Sequence, residues 1–106
     1  MDLKDVGEVI AVRKLHVVEE GKGSREIEVK IGKPVPYPFE DDYYCPFQVV
    51  GVGSERVRYA VGIDAVQALQ LVMVALGSEL YCLNRDSGGS LHWDAGGEGD
   101  FGFPRP

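Results

Sequence analysis

The chain has 106 residues, 44% of them apolar, with 17 acidic and 11 basic side chains and a net charge of −6. This length suits a single domain, residues 1–106, that removes roughly two thirds of its unfolded surface from water, and the composition excludes disorder. Residues 1–33 carry seven acids and seven bases, whereas 34–106 carry ten acids against four arginines, so no basic face is present to meet phosphates and nucleic acid is excluded as a partner.

The first residues, MDLKDVGEVIAV, alternate in charge and lack the basic-then-apolar order of an export signal. No segment reads as a membrane span, so a cytoplasmic protein without membrane attachment is expected. Residues 8–19, EVIAVRKLHVVE, are rich in β-branched side chains but change phase, with Ile10 and Val12 on one parity and Leu15 and Val17 on the other. A bulge near Arg13 or Lys14 would reconcile them. After a glycine-bearing turn, Arg25 to Ile31 alternates polar and apolar without a fault, which describes a strand with one wet face.

Residues 34–46 hold four of the six prolines and read as a stiff internal loop, because proline cannot donate to a ladder. FQVVGVG and RVRYAVG follow, read as a second hairpin about Ser54-Glu55, with Val57, Tyr59 and Val61 on one face and Arg56 and Arg58 on the other. A helix is expected from 64 to about 83. Asp64 stands at its N-cap and Gln67 completes a capping box. Val66, Leu69, Met73, Leu76 and Leu80 form its apolar stripe, widened by Ala65, Ala68, Val72 and Ala75, while Gln67, Gln70, Val74 and Gly77 are the thin outer remainder. An outer face that still offers Val74 is either covered on two sides or available to a partner. SLHW reads as a short last strand, and 94–106 as a glycine-rich tail anchored by Phe101 and Phe103.

Catalytic motifs are scarce. Gly97-Glu98-Gly99-Asp100-Phe101-Gly102 has the outline of a dinucleotide loop, but no helix can follow it. Cys45 and Cys82 stand too far apart for a redox pair or zinc knuckle and read as two small buried thiols. No cofactor, metal ligand set or catalytic residue is assigned. Glu40-Asp41-Asp42 followed by Tyr43 and Tyr44 is the densest group of titratable side chains. Without the interleaved ligands of a calcium loop it describes an acidic surface.

Cys45-Pro46-Phe47-Gln48, Gly62 to Leu69, Leu91-His92-Trp93 and Gly99 to Pro104 together resemble a family of small stand-alone bacterial proteins of unknown function, over residues 43–104. The resemblance implies a bacterial cytosolic origin and transfers no catalytic residue.

The fold expected is α+β: an antiparallel sheet of four to five strands from two hairpins, with one long helix packed on one face. The function expected is a protein-interaction module, immunity- or inhibitor-like, that meets a basic protein through Phe39, Glu40, Asp41, Asp42, Tyr43 and Tyr44. One alternative is a homodimeric structural protein associating through Gln70 and Val74. Another is a small enzyme pairing the acidic loop with His92 or Cys45.

Overall fold

The alternation of residues 25–31 decides which way the sheet faces. In the computed structural model, which describes residues 1–106, this segment lies in strand β2 (Gly23–Gly32), with Ile27, Val29 and Ile31 buried and Glu26 exposed. Around it stand β1 (Val9–Glu19), β3 (Val35–Pro36), β4 (Tyr43–Val50), β5 (Arg58–Gly62) and, after helix α1 (Ala65–Asp86), β6 (Leu91–His92). All pairings are antiparallel: β1 with β2 and β6, β4 with β2, β3 and β5. Tyr43 and Tyr44 pair with both β3 and β5, so those two strands occupy opposite edges of β4. The architecture is the expected α+β one, an open sheet under a single helix. The sheet counts six strands because two-residue pieces, β3 and β6, add to the four long ones.

Several local readings change. The bulge falls at Ile10, between the pairs Val9–Gly32 and Ala11–Ile31, and not at Arg13 or Lys14. Downstream of it the parity of β1 is regular, with Leu15 and Val17 inward, while Val12 faces solvent. The proline-rich segment is less of a loop than expected, because Val35 and Pro36 pair with Tyr44 and Tyr43, and β4 begins at Tyr43. Proline is tolerated there on a sheet edge, where no ladder donor is needed. The second hairpin is longer-looped: β4 ends at Val50 and β5 begins at Arg58. Gly51 and Gly53 take positive φ in the connection, and Gln48 Nε2 donates across it to the Glu55 carbonyl.

Helix α1 starts as its sequence dictates. Asp64 accepts from Gln67 N at 2.8 Å, and Gln67 Oε1 accepts in return from Ile63 N at 2.8 Å. It runs to Asp86, past the expected 83, and stops where Gly88 and Gly89 adopt positive φ and donate to Arg85 and Asn84 carbonyls. Its buried line is Ala68, Val72, Leu76 and Leu80, a spacing of four that lies on Ile27, Val29, Ile31, Cys45, Phe47 and Val49 of the sheet. Leu69 and Met73 are flanking contacts and Val66 is exposed, so the true stripe is rotated from the expected one. An 18-residue window of α1 reaches a mean hydropathy of 1.5, long and apolar enough by composition to cross a membrane, contrary to the sequence reading. In the fold this helix covers the sheet.

Gly77, assigned to the outer face, is buried because residues 93–106 dock against it, where a Cβ would overlap the Pro104 carbonyl. That segment is held by Arg13, whose guanidinium stands 4.0 Å from the Trp93 ring centroid and 4.8 Å from that of Phe103 and donates to the Phe101 carbonyl at 3.0 Å. Phe101 is buried and Phe103 partly so, the anchoring role expected of them. Cys45 is buried as expected but Cys82 is exposed, since it lies off the inward line of α1.

Candidate interaction patch

Residues 34–46 fold back on themselves because Val35 and Pro36 pair with Tyr44 and Tyr43, and the Tyr37 amide donates to the Asp42 carbonyl at 2.8 Å. This closure places Phe39, Glu40 and Asp41 at an exposed tip, where Phe39 is 70% exposed. Tyr44 alternates with the inward Cys45, and Tyr59 with the inward Ala60, so both tyrosines stand on the sheet face opposite α1. Tyr37 joins them. Its ring lies 5.3 Å from Phe39, 6.2 Å from Tyr44 and 6.4 Å from Tyr59, and Tyr44 to Tyr59 is 5.8 Å. Three of the four contacts are edge-on or nearly so, the arrangement aromatic quadrupoles prefer. Partial burial first, then Tyr59, Glu40 and Asp42, raise the Tyr37 hydroxyl above its ordinary pKa, so the acidic loop projects its field onto the rings.

Of the residues expected to form a binding patch, Phe39, Glu40, Asp42 and Tyr44 converge and Asp41 extends the tip. Tyr43 does not join them. It pairs with Gly62, whose missing Cβ would meet the helix backbone at Ala68, so Tyr43 points to the helix side of the sheet. Tyr37 and Tyr59 were missed by sequence reasoning. Tyr37 shares its parity with Phe39, which is a readable sign, but Tyr59 reaches the cluster only through the β4–β5 register.

The enzyme constellation is not assembled. His16 and His92 face each other across β1 and β6 with ring centroids 5.3 Å apart, and Asp94 Oδ1 lies 3.6 Å from His16 Nδ1. His16 pairs with Glu26 of β2, and Pro36, ten residues further along the same edge, pairs with Tyr43. At about 3.3 Å per residue the histidines are some 30 Å from the acidic loop. Cys45 Sγ is enclosed beside the Gly32 carbonyl at 3.3 Å, and burial pushes its thiol up to about 11, away from nucleophilic use. A cavity of about 340 Å³ lies between α1 and the docked segment, lined by Gly77, Tyr81, Asn84, Phe101, Phe103 and Arg105 among others. It holds no acid–base pair.

The outer face of α1 is the second open surface. Gln70 is exposed and Val74 is 52% exposed, alongside Ile63, Val66, Leu71 and Tyr81 at 73%, 64%, 41% and 55%. On the flank facing β5, the Arg58 guanidinium pairs with the Glu79 carboxylate and lies 4.9 Å from the Phe47 ring centroid.

No curated protein and no solved structure matches this chain. A family model described as a domain of unknown function, DUF6968, matches residues 11–105, reaching through β1 and β2, which the sequence resemblance over 43–104 did not cover. With nearly its whole length matched, the chain belongs to that family.

Proposed function

We propose that this protein acts by contact with another protein, presenting Tyr37, Phe39, Tyr44 and Tyr59 with Glu40, Asp41 and Asp42 to a lysine- or arginine-bearing surface. The observation that carries this reading is the gathering of Phe39, Tyr44 and Tyr59 around Tyr37 at 5.3 to 6.4 Å beside the acidic tip. A guanidinium or ammonium laid over such rings gains about 0.5–1 kcal/mol at an exposed site, and more once water is excluded. The neighbouring carboxylates steer the cation in and select against acidic partners. Phe39 at the tip is the natural anchor, since a protruding aromatic buries most area per side chain on contact. Occlusion of a basic surface is how an immunity or inhibitor protein of a bacterial system would act, and that is the biological role proposed.

An affinity pull-down tests it, with the intact protein beside a triple Glu40→Ala, Asp41→Ala, Asp42→Ala variant and a Phe39→Ala variant. Captured proteins of basic character should be lost with the triple variant, weakened about tenfold by Phe39→Ala, and released by moderate salt. Capture that is indifferent to the triple variant and to salt, or no capture at all, overturns the proposal.

A further inference from the structure

The helix face that carries Val74 lies on the opposite side of the sheet from the aromatic patch, and its chemistry asks for a different occupant. At 100° per residue, the line directly opposite the buried Ala68–Val72–Leu76–Leu80 row is Gln67, Gln70, Val74, Ser78, Tyr81 and Arg85, flanked by Val66 and Leu71, with the exposed Ile63 just ahead of the N-cap. Between Asp64 at one end and Arg85 at the other this face bears no charge. Glu79 lies on the flank, engaged with Arg58. We infer that this face is covered by the same face of a second copy of the chain, with the two α1 helices antiparallel about a two-fold axis through Val74.

The charges choose the direction. Two-fold symmetry with antiparallel helices sets Val74 against Val74, Tyr81 against Val66 and Gln67, and Arg85 against Asp64 and Ile63 of the other copy. A parallel pair would instead set Arg85 against Arg85 and Asp64 against Asp64. The antiparallel pair also opposes the helix dipoles favourably. The area is of the right size. Ile63, Val66, Leu71, Val74 and Tyr81 expose about 60–100 Å² each, so two copies cover roughly 600–1,000 Å² of apolar surface. Gln67, Gln70 and Ser78 between them bring the total to about 1,200 Å², the lower bound of specific interfaces. On one copy this is about 300–500 Å² of apolar surface, the size of the largest patch on an ordinary monomer, and such patches are often functional.

Sedimentation velocity over a range of concentrations provides the test. The parent protein should approach the mass of two 11.6 kDa chains. Val74→Asp should run as one copy with its circular dichroism and Trp93 emission unchanged, since Val74 belongs neither to the buried core nor to the side chains packed against it. Arg85→Glu should weaken association about three- to tenfold, as an attractive end contact becomes repulsive. In a Cys82→Ser background, Val74→Cys should give a disulfide-linked pair on mild oxidation.

A single-copy mass for the parent at every concentration overturns the inference, as does a doubled mass that persists in Val74→Asp. An Arg85→Glu variant that associates as well as the parent overturns the antiparallel arrangement. Because α1 is apolar enough to meet a bilayer, co-sedimentation with anionic lipid vesicles is run alongside, and vesicle binding lost in Val74→Asp with no doubled mass assigns the face to lipid. The triple acidic-loop variant should leave the mass of the pair unchanged, so failure of this inference and failure of the proposed function are separable.

Discussion

Replacing a helical glycine with alanine ordinarily stabilises a protein by about 1 kcal/mol, because alanine loses less backbone freedom on folding. Gly77→Ala should do the opposite here. A Cβ at Gly77 would overlap the Pro104 backbone carbonyl, and a carbonyl cannot swing aside as a side-chain tip can. Residues 101–104 must lift off α1. What is lost scales with the lift: Phe101, buried, is worth about 1.5–3 kcal/mol, the Arg13 hydrogen bond to its carbonyl about 1, and each Arg13–aromatic contact about 0.5–1. Losing about half of these interactions outweighs the gain in helix propensity of about 1 kcal/mol and leaves the variant about 1–2 kcal/mol less stable. Urea titration gives the difference, and emission of Trp93, the single tryptophan, reports on the docked segment itself. Ser78→Ala, one residue on and clear of Pro104, is the control and should be neutral or slightly stabilising. A Gly77→Ala protein stabilised by about 1 kcal/mol with unchanged Trp93 emission would refute the docking of 93–106 on the helix.

Leu76→Ala, at a fully buried position, should cost about 3–5 kcal/mol, and Leu69→Ala, at a flanking one, about 1–2; denaturant melts that reverse this order would place the core on the other helical stripe. Asp64→Ala removes the acceptor of the Gln67 amide and should cost about 1 kcal/mol by the same measurement, with larger losses indicating a role beyond capping. The Cys45 thiol is raised from its ordinary value near 9 to about 11 in the folded state. It thus contributes stability that is complete below pH 9 and is lost as the pH rises from about 9 to 11, by up to roughly 2–3 kcal/mol. Cys45→Ala should flatten that alkaline limb at constant temperature, and parent and variant falling in parallel across the window would count against the assignment.

What could be read from the chain and what could not divides by the range of the interactions concerned. The parity of β2, the Asp64–Gln67 cap and the single helix are short-range features, and each appears where the residues placed it. The helical face is different. With apolar residues nearly all round α1, spacing alone does not choose between the line through Leu69 and Met73 and the line through Ala68 and Val72. The sheet makes that choice by bringing Ile27, Val29 and Phe47 up against the smaller pair. Gly77 joins the buried set for a reason no local pattern holds, the arrival of Pro104 from 27 positions away.

Two arginines connect the misread strands to the patch. Their charge would turn Arg13 and Arg58 outward, yet strand parity sets Arg13 with Leu15 and Val17, and Arg58 with Ala60, on the helix side at the rim of the core, where their apolar stems pack and their heads find partners. Arg13 reaches Trp93, Phe103 and the Phe101 carbonyl, while Arg58 reaches Phe47 and the Glu79 carboxylate. Burial lowers the pKa of the Arg58 guanidinium, with Arg56 adding to it, a shift that leaves it cationic and able to hold Glu79. Once Arg58 faces inward, strand parity forces Tyr59 outward to the opposite face, where it meets Tyr44 and Tyr37. The same residue that ties the helix flank to the sheet therefore decides the membership of the aromatic patch. Alternation puts Tyr59 and Arg58 on opposite faces, but only the register with β4, which sets Arg58 against the buried Phe47, decides which of the two faces meets the helix.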